Sequence, residues 1–329
     1  MRLQDSIQAY TADTLRMRKL RQNGKRATKI LIGIGRFVFL FCLCLVLLYP
    51  ILVMLSISLR RSTELYDPTV VWIPKHFTLE NYFNAIEKLN LAEIFGNTAI
   101  VTIAGTACQL ISTMLAGYGF ARFKFPGKNI LFGILILTIM VPPQVVSIPT
   151  MMYFQQFDLF GIGQLVGLFT GEAMTVTLSN TYWAYLLPAL LGSGIKSGLF
   201  IFIFIQFVRG LPGDLQDAAA IDGCGRFRTF WQIMLPLSSA AILTVTLFSL
   251  VWYWNDSYFC VIFFDDMSTV STTLQNISSM LNDQSNRNEL AKIPEMQASA
   301  FMSMLPLLIM YITLQKYFTE SIERTGIVG

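Results

Sequence analysis

Apolar residues in this 329-residue chain gather into six runs separated by polar connections. The runs extend approximately over Ile30–Ser58, Thr98–Ala121, Ile130–Tyr153, Tyr182–Phe207, Leu237–Tyr258 and Ser299–Tyr317. About 20 mostly apolar residues in a helix cross the roughly 30 Å of hydrocarbon in a bilayer, so each run is long enough to span one. The pattern predicts an all-α polytopic membrane protein with about six transmembrane helices. If the loops alternate sides, Arg2, Arg16, Arg18, Lys19, Arg21, Lys25, Arg26 and Lys29 share one side with Arg122, Lys124, Lys128, Arg209, Arg226, Arg228, Lys316 and Arg324, 16 cations in all. The other side holds six: Arg60, Arg61, Lys75, Lys88, Arg287 and Lys292. Lys and Arg accumulate on the cytoplasmic face, so both chain ends are expected in the cytoplasm. The organisation that follows is a cytoplasmic basic N-terminal tail (1–29), a first span with its outer loop (30–93), a transmembrane core (94–318) containing a polar cytoplasmic loop (211–236), and a cytoplasmic C-terminal tail (319–329).

Composition agrees. Apolar residues make up 54% of the chain and charged residues 13%, against about a quarter charged in soluble domains. The single histidine, His76, expected in an exposed loop, leaves no material for a histidine triad or a multi-histidine metal site. Cys42, Cys44, Cys108, Cys224 and Cys260 show neither zinc-type spacing nor an obvious disulfide partner and read as small apolar residues. The start lacks a small-residue cleavage site behind its long apolar run, so the first span is expected to be retained. Immediately before a span, the basic tail reads as a topology signal drawn to anionic lipid rather than as a nucleic-acid arm. Arg36 is close enough to a helix end to snorkel. Lys196, in Leu191–Ser197, reads either as an interfacial charge or as a pathway residue at a break in its span. That stretch superficially resembles a phosphate loop, but Ile195 separates Gly194 from Lys196 and the glycine–lysine pair is missing. No other segment supplies such a motif, so ATP chemistry would have to come from a partner.

The polar interruption from Leu211 to Pro236 carries the strongest local signal. Pro212 suits a helix start, Asp214 is placed to accept from the free first-turn N–H groups, and Asp217 would complete a weak capping box. Gly223 is expected to close the helix in a left-handed conformation. A helix of about eight residues, roughly 12 Å long, is too short to be stable alone. It reads as a docking device: Ala218, Ala219 and Ala220 admit close approach, with Asp217 and Asp222 as anionic contact points.

The run Asp217-Ala218-Ala219-Ala220-Ile221-Asp222-Gly223, followed by Phe230, Ile233 and Leu235-Pro236, resembles the EAA loop of the membrane-spanning permease subunits of ABC importers. Asp217 stands where that family usually has Glu, which keeps the charge and shortens its reach. From about Thr78 onward, further landmarks strengthen the resemblance: Thr78–Tyr82, Asn97-Thr98, Ala116–Arg122, Phe125-Pro126-Gly127, Pro142, Ile148-Pro149, Trp254-Asn255-Asp256 and Gln315–Phe318. Together they look like the carbohydrate-uptake, maltose-type branch. The resemblance implies a bacterial cytoplasmic (inner) membrane protein, a permease subunit of an ATP-driven, binding-protein-dependent importer. Its partners would be a second, larger permease, two ATPase subunits and an extracytoplasmic solute-binding protein. The chain itself would be no enzyme and bind no cofactor, with ATP and Mg held by the ATPase. Asp217, Ala218, Ala219, Ala220, Asp222, Gly223 and Pro236 would form the ATPase-docking site.

Trp254, Asn255 and Asp256 close the fifth run, where rings that stack on sugar faces and side chains that bond hydroxyls suit a solute pathway. Membrane-surface aromatics and packing are the other reading. Pro142 and Pro149 are expected to kink the third span beside a gate, or to serve packing alone. The Gly- and Thr-containing stretch within Leu165–Tyr182, longer than the family's connection, offers an outer loop to a binding protein. Val328 stands where relatives tend to have Lys, which weakens a terminal contact to the ATPase. The rival functions are a self-sufficient secondary transporter or channel, which would need ionisable residues within spans, and a membrane enzyme. For the latter, Asp265-Asp266 is the nearest carboxylate pair, and no histidine supports it.

Overall fold

A computed structural model of the chain describes residues 2–70, 72–171, 174–281 and 292–326, with side chains placed between 29 and 317. The basic side chains from Arg2 to Arg26, Glu172-Ala173, Arg287, Phe318, the Arg324 side chain and Ile327–Gly329 therefore lie outside the described residues. The helices in chain order are α1 (Arg2–Ser58), α2 (Glu80–Lys88), α3 (Leu91–Arg122), α4 (Lys128–Met140), α5 (Gln144–Gln155), α6 (Ile162–Thr170), α7 (Trp183–Leu190), α8 (Ser197–Gly210) and α9 (Asp214–Ile221). They continue with α10 (Arg226–Thr229), a π-helical segment (Phe230–Met234), α11 (Leu235–Leu237), α12 (Ser239–Asn255), α13 (Tyr258–Phe263), α14 (Val270–Gln275), α15 (Ile277–Met280) and α16 (Ile293–Gly326).

Three stretches are long and apolar enough to cross a membrane alone: Lys29–Ser58, Leu91–Arg122 and Ile293–Tyr317. The third and fourth expected spans are broken, and the fifth is the continuous 17-residue helix α12. The third divides into α4 and α5, bent by 101°. Two consecutive prolines explain the break: the residue before a proline is pushed out of the α region, and Val141 is indeed extended. Pro149 lies inside α5 without ending it. The expected fourth span is α7 and α8 joined through irregular residues 191–196, where Gly192 and Lys196 both take positive φ. Counting Lys128–Met140 with Gln144–Gln155, Ser197–Gly210 with Asp214–Ile221, and Arg226–Leu237 with Ser239–Asn255 as single bent spans gives up to six by length and composition. The basic tail is not a separate irregular segment, because α1 runs unbroken from it into the first span.

α3 is the central element, and its polarity is inverted relative to a water-soluble helix. Over its middle, the buried face is mostly small and polar, with Thr98, Thr102, Gly105, Thr106, Gln109, Thr113 and Gly117 beside the apolar Val101, whereas Ile100, Ile103, Ile111 and Leu115 point outward. Small interfacial residues let transmembrane helices approach closely where lipid gives no hydrophobic incentive to associate. The approach here leaves no room for a side chain at two positions: a Cβ on Gly117 would overlap the Phe204 Cβ of α8, and one on Gly105 would sit 2.9 Å from the Tyr253 ring of α12. Thr98 and Thr113 return their hydroxyls to Ile94 and Gln109 carbonyls at 2.7 and 2.6 Å, so these polar side chains are satisfied within the helix.

The connection between α1 and α2 forms a bonded cap at one end of the bundle. Arg60 donates to the Val70 carbonyl at 2.9 Å and Asn81 donates to the Ser58 and Arg60 carbonyls at 2.8 Å. The Glu64 carboxylate accepts from the Lys75 and His76 backbone N–H groups and lies 2.8 Å from the His76 ring, which is exposed as expected. Lys88 and Glu295 pair at 2.9 Å and tie α2 to α16.

Candidate functional sites

At the opposite end, α8 stops at Gly210 and the chain turns by 74° into α9. The eight-residue length matches the sequence expectation, and so does its end. Gly223 is left-handed at φ 77°, with its N–H bonded to Ala220 O at 3.1 Å and the Cys224 N–H to Ala219 O at 2.8 Å, a complete Schellman closure. The expected start is corrected: the capping residue is Gly213, Asp214 is already helical, and neither Asp214 nor Asp217 caps the first turn. Gly213 itself is in the αR region, and Gln216 N–H reaches its carbonyl at 2.9 Å.

α9 has two unlike faces. Ala219 is buried against the bundle, and Gln216 Nε2 donates to Tyr118 Oη of α3 at 3.0 Å. Asp214, Asp217, Ala218 and Ile221, at i, i+3, i+4 and i+7, form an exposed acidic and apolar stripe in which Ile221 is 86% exposed. Asp222, Gly223 and Ala220 are exposed beside it. Phe230 is buried, its ring 5.0 Å from that of Tyr118, while Phe227 and Trp231 remain exposed and touch edge-on at 6.1 Å. Of these three rings, Phe230 alone clamps the loop against the helices of this chain. Pro236 explains the π-helical segment: it has no N–H for the Gln232 carbonyl and its ring crowds that carbonyl, so the ladder widens.

Away from α9, α5, α7, α13 and residues 191–195 border a cavity of about 200 Å³. Its wall is aromatic, with Tyr153, Phe154, Tyr185, Tyr253 and Phe263 prominent, and its polar groups are hydroxyls such as Ser147, Thr150 and Ser193. The expected pathway residues do not line it. Trp254 is buried on another face of α12, packed 6.0 Å from Phe95 and donating to Ser303 O at 3.2 Å. Asn255 bonds back to Val251 O at 2.8 Å. Asp256 accepts a close hydrogen bond from the Tyr185 hydroxyl and stands behind the wall. Pro142 and Pro149 are exposed on the outside of the bend. The wall residues of α5 and its extension, Pro143, Val146, Ser147, Thr150, Tyr153, Phe154 and Phe157, recur at helical spacing. That stripe was the sequence signal for the wall. Lys196 caps α8, exposed, with its Nζ 5.2 Å from the Trp252 ring centre. Asp266 accepts from Asn180 at 3.0 Å in an exposed loop.

Residues 109–324 match the model of the binding-protein-dependent transport system inner membrane component. The chain belongs to this family. Among its relatives, this family member is 28% identical over 286 residues to the arabinooligosaccharides transport system permease protein AraQ of Halalkalibacterium halodurans, covering 85% of this chain and 91% of that one. It is 31% identical over 207 residues to the probable starch degradation products transport system permease protein AmyC of Thermoanaerobacterium thermosulfurigenes, covering 63% and 67%. Among solved structures, one chain of a bacterial ABC transporter involved in the import of the acidic polysaccharide alginate superposes with a TM-score of 0.70 at 20% identity, over 88% of this chain and 96% of that one. This likeness is one of fold. As an inner-membrane component with several apolar helices, the protein is a multi-pass bacterial inner-membrane protein. The matched span includes α9 and the cavity wall contributed by α7, α12 and α13.

Proposed function

We propose that this chain is the transmembrane permease subunit of an ATP-driven importer for a carbohydrate. It would form the translocation pathway with a second permease, receive solute from an extracytoplasmic binding protein, and couple through α9 to two ATPase subunits that hold the ATP and Mg. The excess of cations on that side supports a cytoplasmic position for both termini and the 211–236 loop. Support for a carbohydrate comes from relatives named for arabinooligosaccharides and starch degradation products, and from the aromatic, hydroxyl-bearing cavity. The observation that carries the coupling reading is the exposed stripe Asp214, Asp217, Ala218 and Ile221 on a short helix fixed at both ends. A helix this short keeps its shape only because the bundle holds it, so a force on the stripe is delivered to α3 and α8 instead of unravelling α9. Coupling then requires that the ATPase bind this stripe more tightly in one transport state than in the other.

The test is purification of the tagged protein from its native membranes in mild detergent, with identification of the co-purifying chains and an ATPase assay. The expected result is recovery of a second permease and an ATPase, with loss of the ATPase in Gly223→Val and in Ala218→Glu, both of which still insert. A single species that moves solute into vesicles without ATP would overturn the proposal.

A further inference from the structure

A second recess, of about 370 Å³, opens between α9 and the end of α3. Its lining includes Arg122, Lys124 and Arg226 together with Tyr118, Gln216 and Cys224 and, among the described residues, no carboxylate. Three cations converge with nothing among the lining residues to neutralise them. Arg122 is held in place, because Nη2 donates to Leu211 O at 2.7 Å, yet its Nε is buried without a hydrogen-bond partner. Arg226 lies 5.3 Å from the centre of the Phe123 ring, which orients its guanidinium without satisfying its N–H groups with an acceptor. Lys124 is exposed at the rim. A buried polar hydrogen without an acceptor is costly, and planar guanidinium groups match the oxygens of a phosphate. The recess also stands at a definite depth: Arg122 is the last residue of α3, and the apolar α4 begins at Lys128. This is where the chain leaves and re-enters the hydrocarbon, at headgroup level.

We propose that this recess binds a phosphate-type anion, supplied either by the headgroup of an anionic phospholipid of the inner leaflet or by free phosphate. Bound there, the anion bridges α3 to Gln216 and Cys224 beside α9 and fixes the angle between them. The recess shares Ala220 with the proposed docking loop, and the inference shares with the proposed function the placing of this face in the cytoplasm; it invokes neither the solute nor the ATPase.

Cys224 lines the recess and is half-buried, so its thiol reports occupancy. The full chain is labelled with a water-soluble maleimide and Cys224 is followed by peptide mass, with its labelling in the SDS-denatured protein under the same probe as the reference. The probes are inorganic phosphate added to the protein in micelles, and vesicles of phosphatidylcholine with or without phosphatidylglycerol. At about ten times the dissociation constant, labelling of Cys224 in the folded protein slows about tenfold while the denatured reference stays constant. Protection by phosphatidylglycerol alone identifies the lipid headgroup, and equal protection by inorganic phosphate identifies the free ion. Arg122→Gln abolishes the protection. If that variant fails to fold, Lys124→Gln and Arg226→Gln, at exposed positions, each weaken it. Labelling that neither probe slows, protection unchanged in all three variants, or protection that appears only when ATPase subunits are added overturns the proposal. The last result would make the recess part of the ATPase interface. Because the assay uses neither solute nor ATP, it stands or falls separately from the importer reading.

Discussion

The buried bond system at the middle of α3 yields a prediction with a definite size. Gln109, fully buried, donates from Nε2 to Ile195 O at 2.8 Å and accepts at Oε1 from the Tyr253 hydroxyl at 2.7 Å. It thereby holds the break between α7 and α8 against both α3 and α12, and Gly194 is required beside it because a Cβ there would lie 2.5 Å from Gln109 Oε1. In water-soluble proteins, stranding a buried polar group costs about 1–3 kcal/mol. Between transmembrane helices the measured worth of a hydrogen bond averages about 0.6 kcal/mol with a maximum near 1.7. The second scale applies here, because the unfolded chain in a membrane also finds partners. Gln109→Leu removes two bonds and is expected to cost about 1–3 kcal/mol, and Tyr253→Phe removes one and costs about 0.6–1.7 kcal/mol. The double variant should cost no more than Gln109→Leu alone, since the shared bond is already gone, leaving a coupling of about 0.6–1.7 kcal/mol. Equilibrium unfolding of the four proteins by SDS titration in mild-detergent micelles measures each term. Effects that add to within about 0.3–0.5 kcal/mol would refute the reasoning.

Other outcomes follow from equally specific contacts. Gly117→Val drives a side chain into Phe204 and separates α3 from α8, an over-packing cost of about 1–3 kcal/mol. Gly119→Ala, two residues along with open space around it, is neutral or gains up to about 1 kcal/mol in the same titration. In the outer loop, burial alone would raise the Glu64 carboxyl, but hydrogen bonds from the His76 ring and the His76 and Lys75 backbones outweigh it and leave the pKa below its ordinary value of 4.5. A depressed carboxyl stabilises the fold above its unfolded pKa and loses that contribution as pH falls through the folded value. Protection factors of residues 59–70 and 72–79, which correct exchange rates for their intrinsic pH dependence, should therefore be constant from neutral pH down to the ordinary carboxylate range and fall below it. Glu64→Gln should flatten that dependence; an unchanged acid response would remove Glu64 from the account. Gly223→Val places a β-branched residue at φ 77° with no steric neighbour, so its whole effect is backbone strain of about 1–3 kcal/mol in the Schellman closure. The variant should insert normally and lose the co-purifying ATPase.

What the sequence made legible and what it concealed divide along physical lines. The spans were visible because hydrocarbon imposes length and composition on any segment that crosses it. The break at Val141–Pro143 was visible because proline acts locally. Gly223 was visible because a left-handed position at a helix end selects glycine. The start of α9 was not, since Asp214 had the right chemistry for a cap but the turn at Gly213 carries it into the helix with its side chain exposed. The pathway residues show the same limit more sharply. Trp254 and Tyr253 are neighbours on α12, yet a step of one residue rotates the side chain by about 100°. Tyr253 lines the cavity while Trp254 meets Phe95 and Ser303. Residue type suggested a sugar contact at Trp254, but the packing of α16 on α12 decided which ring faces the cavity. The stripe from Pro143 to Phe157 was readable from its period, and chemistry-led attention to Pro142 and Pro149 passed over it.

The two candidate sites are joined by one helix. Tyr118, near the C-terminal end of α3, accepts from Gln216 of α9 and packs against the tilted ring of Phe230 beyond it, so both arms of the 211–236 loop bear on a single ring. Nine residues toward the N-terminal end of the same helix, Gln109 holds the α7–α8 break and Tyr253 at the edge of the cavity. At 1.5 Å per residue these anchor points are about 13 Å apart along an unbroken helix. Between them Gly117 locks α3 to α8 without space for a sliding side chain. A displacement of α9 has little compliance to absorb it along that path. By contrast, α4–α5 and α7–α8 are broken at Pro142-Pro143 and at residues 191–196. The bundle thus places its stiffness between the exposed α9 stripe and the cavity, and its joints around the cavity wall. Motion driven at α9 would accordingly appear as rotation of α5 and α7 about their breaks, with α3 moving as a rigid rod.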